Sequence, residues 1–113
     1  MNFPEAQLKS TIIQSMAHPV RLLVVEFLAD GEKKFSDIHA LFDYDKSTIS
    51  KHLSVLKSTG IISARKDGNE TVYALEMCCF TAFLNCIDSI IQQNVDRQTC
   101  CIKVNRGTMD IKY

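Results

Sequence analysis

The sequence predicts a mainly α-helical chain with a small β-hairpin, in the order α-α-α-α-β-β-α. Three observations predict it. Apolar residues recur at helical spacing through most of the chain, and one stretch, residues 61–75, instead reads as two strands around Asp67-Gly68-Asn69-Glu70. Proline or glycine stands where the helical stripes begin or stop, at Pro4, Pro19, Gly31 and Gly60. The length of 113 residues allows one domain, and a content of 46% hydrophobic and 23% charged residues belongs to a globular chain rather than a disordered one.

Pro4 suits the first turn of a helix, and Leu8, Ile12 and Met16 then recur at spacing four, to about Ala17. Pro19 opens a second helix with the stripe Val20, Leu23, Val24, Phe27, Leu28, ended by Gly31. Phe35, Ile38, Leu41 and Phe42 make a short third helix that starts near Lys34 or Ser36, and Asp43-Tyr44-Asp45 is a turn. The fourth helix runs from Lys46 or Ser47 to Thr59, burying Ile49, Leu53 and Leu56 and stopping at Gly60. Ile61 to Lys66 and Thr71 to Leu75 are the two strands. Phe80, Phe83, Leu84, Ile87, Ile90 and Ile91 give a fifth helix. From Asn94 the pattern weakens, and Ile102, Val104, Met109, Ile111 and Tyr113 around Asn105-Arg106-Gly107 fit either a small hairpin or a mobile tail. The expected division is therefore a helical domain over 1–94 and a cysteine-containing tail over 95–113.

The N-terminus, Met1-Asn2-Phe3-Pro4-Glu5, has no basic region followed by an apolar run, and charged residues cut every apolar stretch well short of the roughly 20 residues a membrane span needs. The expectation is a cytoplasmic protein with no membrane partner. Five cysteines, Cys78, Cys79, Cys86, Cys100 and Cys101, lie in the last 36 residues, an odd count that speaks against a disulfide framework. The sequence has no G-x-G-x-x-G, P-loop, G-x-S-x-G, C-x-x-C or H-E-x-x-H motif, and its three histidines, His18, His39 and His52, sit beside no evident nucleophile. No enzyme is expected, and no catalytic residue is assigned.

Net charge is zero, which by itself argues mildly against nucleic acid as a partner. The distribution argues the other way. From Lys46 to Lys66 there are five basic residues (Lys46, Lys51, Lys57, Arg65, Lys66) and no acid. Two short helices joined by a tight turn and followed by a hairpin form the winged helix-turn-helix order, whose second helix enters the major groove of duplex DNA. On the fourth helix, Ser47, Lys51 and Ser54 lie opposite the apolar stripe, Thr48 and Ser50 flank them, and Lys46 stands at the N-terminal end. Hydroxyls can donate to or accept from base edges, and lysine reaches guanine or phosphate. A solvated polar face or a winged helix that binds only protein would share the pattern without DNA.

Ala17-His18-Pro19-Val20-Arg21-Leu22 resembles the A-x-P-x-R-L start of the second helix in the ArsR/SmtB family of metal-responsive repressors. Ser47 to Leu56 is similar to the family's recognition helix, S-x-x-S-x-H-L-x-x-L, Thr59-Gly60-Ile61-Ile62 to its A-G-[LIV]-[LIV] exit, and Tyr73-Ala74-Leu75 to its Y-x-L wing end. The resemblance spans roughly residues 8–91. It implies that Lys46, Ser47, Ser50 and Lys51 touch bases or phosphates of an operator. It also implies that the first and fifth helices pair in a homodimer, through Leu8, Ile12, Phe80, Phe83, Leu84, Ile87 and Ile91. Two recognition helices one DNA turn apart, and the apolar surface of the fifth helix, favour the same dimer. His52, about 60° from the centre of the buried stripe at 100° per residue, is read as structural. Asn69 stands where the family often has a wing arginine, so wing contacts fall to Arg65 and Lys66 or are weak.

The family's sensor sites are largely absent. Residues 35–39 carry no cysteine pair, no histidine follows His52, and no cysteine precedes Cys78. Cys79, Phe83 and Cys86 resemble a fifth-helix P-C…F-x-x-C pattern of arsenic-responsive members, with Cys78 in place of the proline. Seven residues put Cys79 and Cys86 about 10 Å apart along a helix, so one ion needs a further thiolate, from Cys100 and Cys101 or from a partner chain. A thiolate set suits As(III) or Sb(III), and Cd(II) or Pb(II) less exclusively. The implied action is release of DNA when the ion binds. A redox or persulfide switch on the same cysteines is the alternative. No cofactor is required for folding.

Overall fold

The structure is a computed structural model that describes residues 1–101, with side chains described for residues 1–94. The expected hairpin or mobile tail after residue 101 lies outside the described residues. The order is α1 (Phe3–Met16), α2 (Pro19–Leu28), β1 (Lys33–Lys34), α3 (Phe35–His39), α4 (Lys46–Ser58), β2 (Ile62–Asp67), β3 (Glu70–Leu75) and α5 (Phe80–Cys101). The chain divides into two compact units, Met1–Cys78 and one that begins at Cys79.

In the first unit the starts of α1, α2 and α4 each have a side-chain cap. Asn2 accepts from the Glu5 N–H at 2.9 Å while the Glu5 carboxylate accepts from the Asn2 N–H at 3.1 Å, a reciprocal cap on α1. His18 caps α2, its Nδ1 accepting from the Val20 N–H at 3.1 Å, and Pro19 fills the first turn. Helices α1 and α2 meet at 88° across Ala17-His18. Asp45 caps α4.

The end of α4 is equally specific. The Ile61 N–H donates to Leu56 O at 3.2 Å and the Gly60 N–H to Lys57 O at 3.1 Å, with Gly60 at φ +85° and both Ile61 and Leu56 buried. This is the paired-bond helix stop that needs a left-handed residue. Nothing lies within 4 Å of where a Cβ on Gly60 would sit, so Gly60→Ala should cost only the backbone term, about 1 kcal/mol of unfolding free energy, read by urea denaturation.

β2 and β3 pair antiparallel from Ile62↔Leu75 to Asp67↔Glu70. Gly68 and Asn69 form the two-residue loop, with positive φ at Gly68 alone, the pattern of a type II′ hairpin turn. β3 also pairs antiparallel with β1, Lys33↔Tyr73 and Lys34↔Val72, giving a three-stranded sheet in the order β1-β3-β2. This third strand departs from the two-stranded expectation. Two lysines carry no alternation of their own, and the strand exists because β3 offers an edge.

The core of this unit is built from Val20, Val24, Val25 and Leu28 of α2, Ile38 of α3, Ile49, Leu53 and Leu56 of α4, and Ile61, Ile62 and Val72 beside the sheet, all at most 5% exposed. Helix α4 packs on α1, α2 and β2, so three elements fix its orientation.

In the second unit α5 stays helical to Cys101. The boundary expected at 94/95 therefore falls inside a helix. No single described helix is long and apolar enough to cross a membrane.

Candidate nucleic-acid interface

The buried stripe of α4 decides what its other face can do. With Ile49, Leu53 and Leu56 at 1% exposure or less, the opposite side is turned outward: Lys46, Ser47, Ser50, Lys51 and Ser54 are all exposed. Thr48, expected on this face, is half-buried at its edge. The short connection 40–45 is fixed by His39, whose Nε2 donates to Tyr44 O at 2.7 Å. Helix α3, that turn and α4 thus form the helix-turn-helix.

Asp45 modifies the expected chemistry. Its carboxylate accepts from the Thr48 N–H at 3.1 Å and from the Ser47 hydroxyl at 2.9 Å. Hydrogen bonding from Thr48 first, then Ser47, holds this carboxyl below the usual range. Two consequences follow. The helix N-terminus, often an anion site, already serves an internal anion at Thr48. Ser47, with its proton engaged, presents lone pairs outward and suits a donor such as an exocyclic base amine.

The wing is less available than the sequence suggests. Arg65 Nη2 lies 2.7 Å from Glu32 Oε1, an ion pair between the wing and the residue before β1. The hydrogen bond and charge of Arg65 hold the Glu32 carboxyl low. Lys66 is exposed and has no ion-pair partner among the described residues. Successive strand residues face opposite ways, so Arg65 and Lys66 cannot both address one groove from β2.

His52 is held from behind. Arg21 Nε donates to His52 Nδ1 at 3.0 Å and Arg21 Nη1 donates to Ser15 O at 3.2 Å, tying α4 and the end of α1 to α2. The Ser15 and Thr59 hydroxyls meet at 3.1 Å, a second link from α1 to α4. Sequence reasoning makes His52 structural but gives Arg21 no part. The available signal is an arginine among the apolar residues that begin α2.

On α5, Phe83, Ile90 and Ile91 are exposed, Leu84 and Ile87 are half-buried, and Phe80 is 1% exposed in the single chain. Phe80 is therefore not open surface, in contrast to its expected place in a dimer contact. On α1, Leu8 is 70% and Ile12 41% exposed. Cys78, Cys79 and Cys86 are exposed. Cys79 stands immediately before α5, its carbonyl accepting from the Phe83 N–H at 3.2 Å. Among the described residues no three His, Cys, Asp or Glu side chains come together as a metal site. The side chains of Cys100 and Cys101 lie outside the described set.

Comparison with known proteins bears on this geometry. Residues 18–64 match the profile of the bacterial regulatory protein, arsR family. The arsenical resistance operon repressor of Staphylococcus aureus is 30% identical over 103 residues, 87% of this chain and 92% of that one. This chain belongs to the ArsR family. That family and its fold are of DNA-binding transcriptional regulators, not enzymes. An HTH-type transcriptional regulator of Mycobacterium tuberculosis, Rv0081, is 29% identical over 73 residues, and the chain spans 64% of its length. The crystal structure of Rv0081 superposes with a TM-score of 0.74 at 22% identity, covering 87% of this ArsR-family chain and 99% of that one. The matched segment 18–64 runs from the α2 cap through α4 into the wing, the part that carries the outward face of α4 and its brace.

Proposed function

We propose that this chain is a transcriptional repressor that binds duplex operator DNA as a homodimer through the outer face of α4, and releases it when a thiophilic ion, As(III) or Sb(III), binds cysteine thiolates. The observation that carries the DNA reading is the exposed face Lys46, Ser47, Ser50, Lys51 and Ser54, which holds no acid beyond the cap Asp45. Thr48 at its edge extends it, and the wing adds either Lys66 or, where its pairing with Glu32 gives way to phosphate, Arg65. The exposed Leu8 and Ile12 of α1, and Phe83 and Ile91 of α5, support a second copy as partner. Half-sites about one helical turn apart need two recognition helices.

The inducer reading is supported by the Staphylococcus relative and by two exposed thiols, Cys79 and Cys86. Cys79, Cys86, Cys100 and Cys101 are the proposed donors. Because α5 is continuous to Cys101, Cys86 and Cys100 of one chain are roughly 21 Å apart along it at 1.5 Å per residue. A shared ion therefore draws on two copies. Two antiparallel α5 helices related by a two-fold near Gln93 would bring Cys86 level with Cys100 of the partner subunit.

The test is a DNA-release assay under full reduction, using a duplex recovered by the protein from a random pool. As(III) or Sb(III) should lower affinity about tenfold or more, a coupling of ordinary size, and Cys86→Ser should abolish the response while leaving ligand-free affinity unchanged. Release by a persulfide donor or oxidant, with none by either ion, would replace this effector with a redox one. Failure to bind any duplex at about 50 mM salt, where phosphate contacts are strongest, would contradict the DNA reading itself.

A further inference from the structure

We infer that Arg21 and His52 are positioning residues for the recognition helix, and that their contact works only while His52 is neutral, so that DNA affinity falls on acidification. The inference rests on the DNA-binding reading above and deepens it.

The geometry states the requirement. Arg21 cannot accept a hydrogen bond, so its Nε bond at 3.0 Å to His52 Nδ1 requires a lone pair on that nitrogen. His52 therefore carries its proton on Nε2. His18 is under the same constraint, since its Nδ1 accepts from the Val20 N–H. The two imidazoles lie 4.4 Å apart between centroids. Two imidazoles and one guanidinium thus share the junction of α1, α2 and α4, and Arg21 extends the link to Ser15 O.

A proton on His52 has nowhere favourable to act. Burial, His18 and Arg21, in that order, each oppose the charged ring and push its pKa down. Among the described residues no carboxylate of α1, α2 or β2 is among the groups acting on it. Protonation would turn the acceptor into a donor facing Arg21 and break the bond that holds α4 against α2. A lowered pKa also means that the unfolded chain takes up the proton first. Stability is full above the ordinary histidine value of about 6.5 and declines as pH falls through the window below it.

The direction of the effect separates this from ordinary electrostatics. A histidine that touched phosphate would strengthen binding on gaining charge. Here the predicted sign is the opposite, because the charge is gained behind the helix.

The experiment measures fluorescence anisotropy of a selected duplex against pH from 7.5 to 5.5 at constant salt, with thermal melts at each pH to confirm that the protein stays folded. Wild type should weaken about fivefold to tenfold, the scale of one intramolecular hydrogen bond. His52→Asn, whose Oδ1 can accept from Arg21 and cannot titrate, should bind as wild type does at pH 7.5 and show little loss at 5.5. Unchanged or tighter wild-type binding in acid, or an Asn variant that tracks wild type, would overturn the proposal. The ¹⁵N spectrum of the His52 ring in DNA-free protein tests the contact separately. A proton on Nε2 at neutral pH is expected, and one on Nδ1 would overturn it. Absence of duplex binding at pH 7.5 would count against the DNA reading and leave the ring measurement to decide the contact.

Discussion

Lys51→Glu should lower affinity for a selected duplex by about a hundredfold or more while leaving the melting temperature nearly unchanged. Lys51 is exposed at the middle of the outward face of α4, where a base or phosphate contact is worth about 1–3 kcal/mol. Reversal removes that interaction and adds repulsion, and a dimer suffers both twice. Each 1.4 kcal/mol is tenfold in Kd, so removing the interaction from both half-sites already gives the stated figure. The dependence of log affinity on log salt should also flatten, by about one unit for each phosphate that is no longer neutralised. Equal affinity for the variant would mean that this face does not meet the duplex.

The second large effect is on stability. Leu53 is 1% exposed in the stripe that seats α4. Leu53→Ala should cost about 2–5 kcal/mol, the transfer term plus the cavity left behind, out of the roughly 5–15 kcal/mol typical of a domain. Thermal unfolding should then shift down by about 10 °C or more. The adjacent Ser54→Ala, on the exposed face, should change stability by less than about 0.5 kcal/mol and weaken DNA binding instead. The pair reads the rotation of the helix directly. A variant at 54 that destabilised more than the one at 53 would mean that the helix is turned the other way.

The contrast between those adjacent residues is legible in the sequence, because burial of Ile49, Leu53 and Leu56 at helical spacing leaves only one orientation for Ser47, Lys51 and Ser54. The hairpin and the stop at Gly60 are legible for a similar reason: local chemistry, Gly at positive φ, dictates them. What the sequence hides depends on pairs far apart in the chain. β1 is two residues long and exists through β3. Glu32 meets Arg65 across 33 positions and Arg21 meets His52 across 31, and no periodicity encodes such distances. Asp45 reads as part of a turn, although its carboxylate caps the helix that follows. The full length of α5 is obscured because Gln92, Gln93 and Asn94 interrupt the apolar stripe, while a helix tolerates such residues without difficulty.

For the candidate site the same division holds. Which residues face outward can be read from the pattern of α4; what restrains them cannot. Asp45 engages Ser47, Glu32 engages Arg65, and Arg21 braces His52, three interactions whose pairing no motif states, although Arg21 and His52 each stand in one.

Amide chemical-shift mapping of ¹⁵N-labelled protein titrated with a selected duplex addresses the DNA interface most directly. The largest changes should cluster at residues 46–54, with a smaller set on the wing around Lys66. Shifts concentrated on α1 or α5, with residues 46–54 unmoved at saturation, would contradict the assignment of α4 as the element that reads DNA.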